Sequence, residues 1–214
     1  MLHIHNFCFN PFGENTYIVF GDDKNAIVID PGNSCPKEDL TLFSFIDSNG
    51  LKISKIINTH AHIDHIVGNH ALTERYGVAI AAHRDTADDF AAAPQQMLMF
   101  GFYSQGEIAK PTEFLDDRDT FVLGGEILEV IATPGHARGS ISIYATATGV
   151  VFTGDALFCR SIGRTDLPGG SYDVLRESIR KRLFVLPDDT SVMSGHGEES
   201  SIGEEKDFNP YVAM

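Results

Sequence analysis

Four side chains of the kinds that bind metal ions fall within six residues of this chain: His60, His62, Asp64 and His65. They follow an apolar run at residues 55–58 that predicts a buried strand. Imidazole nitrogens and carboxylate oxygens are the groups that hold zinc, iron or manganese. If the chain stays extended, His60, His62 and Asp64 share one face. A turn into a helix directly afterwards would let Asp64 and His65 face one point while His60 and His62 face another nearby, which suits two metal ions better than one.

Three other apolar runs end in a similar way, with one potential metal ligand close to a glycine. These ligands are His136, Asp155 and His196, after the runs at residues 127–131, 150–153 and 191–193. Glycine allows unusual backbone angles and close approach, which the presentation of a side chain at a strand end requires. A lone buried aspartate is costly unless it is paired or bound to a cation. The sequence therefore predicts that these three residues complete a two-metal site.

The order and spacing of these seven residues resemble the metallo-β-lactamase superfamily, across nearly the whole chain from Asn15 to His196. Within that superfamily the chain is most similar to the glyoxalase II-like (hydroxyacylglutathione hydrolase-like) enzymes. The segments that carry the closer resemblance are residues 13–17, 29–32, 163–166 and 201–206. The resemblance implies an α/β fold, a four-layer αβ/βα sandwich with the metals at one edge between the sheets.

The resemblance also implies a role for each residue of the set. One ion would be bound by His60, His62 and His136. A second ion would be bound by Asp64, His65 and His196. Asp155 would bridge both ions, so Asp64 and Asp155 would take part in catalysis as well as in metal binding. Two divalent ions are implied, with zinc expected and iron or manganese as alternatives.

Asp30 is predicted to orient one of these histidines. It ends the apolar run at residues 26–29, and a metal-bound histidine usually donates its other N–H to a carboxylate or carbonyl. Pro31 and Gly32 follow directly, so a turn-forming aspartate is a second interpretation. The two interpretations are compatible.

The implied activity is hydrolysis of a thioester such as S-lactoylglutathione by a hydroxide that bridges the two ions, since a metal lowers the pKa of bound water to about 7. A persulfide dioxygenase is the first alternative, with one iron on His60, His136 and Asp155, because that family shares the turn at residues 163–166. The complete second set of ligands favours the hydrolase. A lactonase or β-lactamase and a non-enzymatic scaffold are further alternatives.

The substrate pocket is less well indicated than the metal site. Typical glyoxalase II enzymes carry a helical extension that contributes to the glutathione pocket, whereas only a short tail follows His196. Tight specificity for glutathione is therefore not expected. Residues 93–103, which are rich in methionine and aromatic side chains, are a candidate pocket wall, and equally a loop that covers the core or a subunit contact.

Arg164 and Arg160 are candidates for binding a substrate carboxylate, because arginine suits bidentate contact with that group. Arg138 is a further candidate for contact with the substrate. Arg164 lies two residues before Asp166, so a local salt bridge is the simpler prediction for it. Arg138 stands where many relatives have proline, and it places an extra positive charge close to His136 in sequence.

Length and composition predict one globular domain over residues 1–214, since 43% of the residues are hydrophobic and 21% charged. The chain pattern suggests two similar halves. Strands are predicted at residues 17–20, 26–30, 55–58, 78–82, 127–131, 141–145, 150–153 and 191–193. Helices are predicted near residues 37–48, 66–76, 85–92 and 172–184.

The charge and the cysteines restrict the partners and the compartment. A net charge of −14 argues against nucleic acid as a partner. No apolar run is long enough for a membrane span and no signal peptide is visible. Three scattered cysteines predict reduced thiols in a cytoplasmic setting. A small-molecule thioester is the expected partner, and the oligomeric state stays open.

Overall fold

Two six-stranded β-sheets form the centre of the structure, a computed structural model that describes residues 1–102 and 107–212. The strands of the first sheet, which lie side by side in chain order, are β1 (Leu2–Phe9), β2 (Glu14–Gly21), β3 (Asn25–Ile29), β4 (Lys52–Ile57), β5 (Ala79–Ala82) and β6 (Glu113–Phe114). The pairs from β1 to β3 are antiparallel, and those from β3 to β6 are parallel.

The second half of the chain supplies the other sheet and a small hairpin. Its strands are β7 (Thr120–Leu123), β8 (Glu126–Ala132), β9 (Ile141–Ala145), β10 (Val150–Gly154), β11 (Leu157–Phe158), β12 (Ser161–Ile162), β13 (Ser191–Ser194) and β14 (Ser200–Ser201). The hairpin is β11 and β12, and the sheet order is β14-β13-β10-β9-β8-β7. Strands β10 and β13 are parallel, so their carboxyl ends meet at one edge.

The described residues form six α-helices. They are α1 (Pro36–Ser48), α2 (Ile63–Ile66), α3 (Asn69–Tyr76), α4 (Ala87–Phe100), α5 (Tyr172–Ser178), which continues as a π-helical turn, and α6 (Ile202–Phe208). Side chains of α1 and α3 pack on the first sheet, and those of α5 and α6 pack on the second. A third cluster lies between the two sheets. The order helix, sheet, sheet, helix confirms the predicted four-layer αβ/βα sandwich.

Alternation along β2 shows how the sequence produces these layers. Tyr17 and Val19 point into the space between the sheets, whereas Ile18 points toward α1. This is the period of two that an extended strand imposes. On the helix side, Leu42 and Ile46 are fully buried. Their spacing of four places both on one face of α1, and burial of such a side chain contributes about 1.5–3 kcal/mol.

Two of the predicted helices differ from the observed ones, and α6 was not predicted. The helix predicted over residues 66–76 is two helices, α2 and α3, separated at Val67 and Gly68. A Cβ atom on Gly68 would lie 2.0 Å from Asn33 Oδ1, so the close approach of that loop requires glycine. The helix predicted near residues 85–92 instead runs from Ala87 through Pro94 to Phe100.

The longer α4 changes the interpretation of residues 93–103. Most of this segment is helical and ends at Gly101, whose φ of 71° is the left-handed conformation common at helix ends. Tyr103 lies outside the described residues. None of the helices in the described part of the chain is long and apolar enough to cross a membrane.

Candidate metal centre

The seven residues singled out by their spacing lie together at one edge between the two sheets. They follow the carboxyl ends of four strands, β4, β8, β10 and β13. In open α/β sheets this edge is where ligands bind, because the loops after the strands converge there. The fold thus brings all seven residues into one region, although His60 and His196 are far apart in sequence.

Glycines allow the strand ends to approach one another. Gly154, at the end of β10, has a φ of 50°, and a Cβ atom there would lie 2.2 Å from Thr59 Oγ1. A Cβ atom on Gly195 would lie 2.3 Å from Asp155 Oδ1. Real Cβ contacts are never so short, so only glycine fits either position. This explains why the apolar runs in the sequence stop at or near glycine.

The segment from His60 to His65 is not an extended strand, and that expectation was wrong. Strand β4 ends at Ile57, and α2 begins at Ile63. Asp64 and His65 therefore project from the first turn of a helix, while His60 and His62 project from the loop before it. Two of the donor groups among the described residues separate them in this way, one with His60 and His62 and one with Asp64 and His65, while a third group combines Asp30, His60 and His65.

The first group consists of His60, His62 and His136, and one ring nitrogen from each lies within 4.8 Å of the others. His62 Nδ1 and His136 Nε2 are 2.8 Å apart. His60 is fully buried and His136 is 2% exposed. Three imidazoles at this separation form a set of donors that could share one cation.

The second group consists of Asp64, His65 and His196. His65 Nε2 lies 3.2 Å from His196 Nε2, and Asp64 Oδ2 lies 3.3 Å from that same nitrogen. His65 is fully buried, whereas Asp64 and His196 are partly exposed. The second group therefore lies on the more open side of the cluster.

Asp155 lies between the two groups. Its Oδ1 is 3.3 Å from His65 Nε2 in the second group. Its Oδ2 is 3.5 Å from His136 Nε2 in the first group and 3.6 Å from His196 Nε2 in the second. One carboxylate thus faces both sets of donors.

Contacts behind the imidazoles fix how three of the rings are oriented. His136 Nδ1–H donates to the Arg164 carbonyl at 2.8 Å, and His196 Nδ1–H donates to the Phe12 carbonyl at 3.2 Å. His65 Nδ1–H donates to Asp30 Oδ2 at 3.0 Å. A neutral imidazole that donates from Nδ1 presents an unprotonated Nε2 on its other side, and that nitrogen can bind a metal ion.

Asp30 occupies the position that the sequence predicted for it, directly behind one of the histidines. Besides its contact with His65, its Oδ1 accepts a hydrogen bond from the Thr59 backbone N–H at 2.7 Å. The Thr59 hydroxyl donates to its other oxygen. Asp30 has a φ of 48°, a left-handed conformation that aspartate and asparagine tolerate better than most residues. It is therefore both the turn residue and the partner of the histidine.

Glu14 lies close to His65, and the sequence did not single it out. It is fully buried at the start of β2, with Oε1 4.0 Å from His65 Nδ1. The Thr16 hydroxyl donates to its Oε2 at 2.8 Å. Burial raises the pKa of this carboxyl well above its ordinary value, against the opposing effect of the His65 charge. Its segment was noted for the family resemblance, but no pattern in it marks Glu14 as buried.

Burial and charge set the protonation of the cluster in opposite directions for different members. Burial lowers the pKa of His60 well below its usual value and lowers that of His62 to about 4. Burial alone would raise the pKa of Asp155, but the positive charge of His65 holds it well below its ordinary value. Neutral His60 and His62 beside an ionised Asp155 are protonation states that bind metal ions. Burial alone would lower the pKa of His65, but the charges of Asp155 and Asp64 raise it well above its usual value, so His65 would release a proton when an ion binds.

Two buried atoms at the centre of the cluster make the fit to a cation specific. Among the residues that the structure describes, His60 Nε2 and Asp155 Oδ1 have no hydrogen-bond partner. A buried polar atom without a partner is costly, and each such atom in a folded protein needs an explanation. Both are donor atoms of the kinds that divalent cations take, so the cluster fits bound metal ions.

A cleft of about 640 Å³ opens above the cluster. Asp155 and His196 lie at its base, and much of its wall is apolar. The apolar side chains of the wall are Phe12, Ile63, Ala92, Met99, Phe100, Phe158, Leu167 and Pro168. One side of the wall is α4, so the segment at residues 93–103 contributes to the cleft, as one of the three interpretations had it.

Arg164 and Arg138 lie at different distances from the cleft. Arg164 lines the cleft, but its guanidinium forms the predicted local salt bridge with Asp166, with N–O distances of 2.8 and 2.7 Å. Arg138 is not among the residues that line the cleft, and its Nη1 lies 3.4 Å from Asp88 Oδ2 on the exposed surface. Neither guanidinium points freely into the cleft.

Comparison with known proteins agrees with the fold and the cluster. The sequence profile of the Metallo-beta-lactamase superfamily matches residues 9–196. Hydroxyacylglutathione hydrolase GloC from Haemophilus influenzae is 34% identical over 202 residues, which cover 94% of this chain and 93% of that protein. The chain belongs to the metallo-beta-lactamase superfamily, and its cluster of histidines and aspartates is that of a metallo-hydrolase.

Two solved structures are similar over almost their whole lengths. The BLEG-1 B3 metallo-beta-lactamase is 33% identical with a TM-score of 0.87, over 99% of this chain and all of that one. The protein TTHA1623, solved in a di-iron-bound form, is 30% identical with a TM-score of 0.86, over 97% of this chain and 99% of that one.

Proposed function

We propose that this protein is a dinuclear metal-dependent hydrolase that cleaves thioesters of the S-lactoylglutathione type. The observation that carries this proposal is the position of Asp155, whose two oxygens lie 3.3 Å from a histidine of one group and 3.5 Å from a histidine of the other. A site for a single ion would need only one of the two groups. Donors for two ions that share a carboxylate are the arrangement of two-metal hydrolases.

The proposed ligands follow from the two groups. One ion would be held by His60, His62 and His136. The other would be held by Asp64, His65 and His196, with Asp155 shared between them. When bound, such a pair of ions supplies a hydroxide nucleophile at neutral pH and polarises the carbonyl that is attacked.

The chain's own residues fix the orientation of the imidazoles that would bind the ions. Asp30 and the carbonyls of Phe12 and Arg164 hold three imidazoles in orientations that point Nε2 into the cluster. Because those contacts are to fixed backbone or to a buried carboxylate, the rings need little rearrangement when ions bind. The apolar wall of the cleft would exclude bulk water from an acyl group placed over Asp155.

The thioester specificity rests on likeness to the GloC protein, which is named a hydroxyacylglutathione hydrolase and aligns with 94% of this chain. We propose zinc for both sites, because histidine nitrogens and aspartate oxygens suit it. The likeness to a protein solved in a di-iron-bound form supports two ions and makes iron the alternative. The likeness to BLEG-1, a B3 metallo-beta-lactamase, supports β-lactam hydrolysis as a second candidate.

Turnover of S-lactoylglutathione and nitrocefin by a zinc-loaded preparation, and of glutathione persulfide by an iron-loaded preparation, tests the proposal. We expect loss of the thioester bond of S-lactoylglutathione at equal rates with and without oxygen. We expect kcat/KM for nitrocefin to be lower by about 100-fold or more, a difference of roughly 3 kcal/mol in transition-state binding. Faster turnover of nitrocefin would favour the β-lactamase. Oxygen consumption with glutathione persulfide by an iron-loaded preparation, without thioester cleavage, would favour the dioxygenase and contradict the proposal.

A further inference from the structure

One face of α4 presents an ordered row of side chains to the cleft. Asp89, Ala92, Gln96 and Met99 follow one another at intervals of three and four residues, which places them on the same side of a helix. Gln95 lies beside this row and also lines the cleft. Together, the row and Gln95 combine one carboxylate, two amides and an apolar end within a single wall.

The polar members of this row have no partners within the protein. In the part of the chain that the structure describes, Asp89, Gln95 and Gln96 form no hydrogen bond or ion pair through their side chains. Asp89 is half-buried and feels only the more distant positive charges of Arg138 and His136. Its neighbour Asp88, by contrast, is exposed and paired with Arg138.

The other charges of the cleft are already engaged. Asp64 and Asp155 belong to the metal centre, and Arg164 is held by Asp166 through two contacts. Asp89 is therefore the charged side chain of the wall that remains available to a ligand. A half-buried carboxylate repels an anionic group and forms a strong, charge-assisted hydrogen bond with an ammonium group. Glutamine amides both donate and accept, as peptide amides do.

We propose that α4 recognises the thiol-derived part of the substrate, with Asp89 accepting a hydrogen bond from a free ammonium group and the two glutamines pairing with amide groups. This inference rests on the proposed thioesterase function and specifies its substrate class. The substrates are thioesters of small, peptide-like thiols that carry a free amine. Asp89 discriminates among substrates and takes no part in cleaving the bond.

Binding of a ligand that cannot be hydrolysed tests this separately from turnover. The probes are S-methylglutathione and its N-acetyl derivative, which lacks the ammonium group. Calorimetry would compare both on the zinc-loaded wild type, on Asp89→Asn and on Asp88→Asn. The last variant is the matched control, because it removes the same charge from the adjacent residue outside the cleft.

We expect the wild type and Asp88→Asn to bind S-methylglutathione about tenfold more tightly than the N-acetyl form, the worth of one hydrogen bond between charged groups. Asp89→Asn should bind both about equally. Equal binding of the two probes by the wild type, or equal weakening of both by Asp89→Asn, would overturn the inference. Selective binding in a protein that cleaves no thioester would instead leave the recognition standing and refute the proposed function.

Discussion

The metal centre and the α4 wall of the cleft face each other but are built on opposite principles. In the centre, His136 and His196 are each fixed from behind by a backbone carbonyl, and buried donor atoms point inward. On the wall, Asp89 and Gln96 have no partner in the described part of the chain. Rigid, supported side chains set the reaction that a site can perform. Unpartnered side chains on a wall leave room for a substrate to supply the missing contacts.

The metal centre and the α4 wall also differ in how much charge they bury. Asp155 and Glu14 are buried carboxyls whose ionised forms are costly without a cation nearby. The histidines around Asp155 provide part of the compensation, and bound ions would provide the rest. Burial also raises the pKa of Asp89, but this side chain is only half-buried, so its ionised form needs less compensation. Ion binding is therefore expected to stabilise the folded protein.

Removal of the shared carboxylate should have the largest effect. In Asp155→Ala we expect both ions to be lost or to bind much more weakly, because Asp155 faces donors of both groups. The kcat/KM for S-lactoylglutathione should fall by about 1,000-fold or more, as for other residues made essential by a metal site. Elemental analysis and thioester hydrolysis measure the two effects.

The matched control for this variant is Asp207→Ala, which removes an exposed carboxylate from α6. It should keep wild-type metal content and rate. An Asp155→Ala protein with full metal content and unchanged turnover would show that Asp155 is not shared between two ions.

A smaller effect is expected for the residue behind His65. Asp30→Asn keeps the shape of the side chain and tolerates the φ of 48°, but it removes the charge that orients the imidazole. Loss of such a supporting contact typically costs about 10–100-fold in metal affinity or activity. Competition with a zinc-binding dye would measure the affinity. A variant with unaltered affinity and rate would mean that residue 30 serves only the turn and its contacts with Thr59, and that its contact with His65 does not support metal binding.

The smallest effect is expected on the open side, at Arg164. Its guanidinium is exposed and engaged by Asp166, while the contact with His136 is made by its backbone carbonyl. In Arg164→Ala that carbonyl remains, so kcat should be unchanged and KM for S-lactoylglutathione should rise by at most about threefold. Arg138→Ala, outside the cleft, should change KM even less. A tenfold rise in KM for Arg164→Ala alone would place a substrate carboxylate on this residue.

The metal centre was largely predictable because its information is local. Four donors in six residues, and single donors after glycine-terminated runs, are visible without knowledge of the fold. The separation of Asp64 and His65 from His60 and His62 was also expected, although it was argued from a strand that continues too far. The error concerned the backbone between His60 and Asp64, which forms a loop before α2 instead of an extended strand.

The wall and the inner support were harder to predict because their roles depend on tertiary contacts. Asp89 looks like an ordinary acidic residue near a helix start. Pro94 and the lack of a clean period concealed the full length of α4. Glu14 is buried beside the loop of Gly32, where a Cβ atom would lie 1.9 Å from its carboxyl. Two-residue strands such as β6 and β14 exist only through pairing with distant segments.

The number of metal ions per chain distinguishes the proposed dinuclear site from a mononuclear one. Protein purified without added metal would be analysed for zinc, iron and manganese by elemental analysis, in parallel with thioester hydrolysis. We expect about two ions per chain and a rate that falls as both are removed by a chelator. One iron per chain in fully active protein would contradict it, because Asp64, His65 and His196 would then hold no ion.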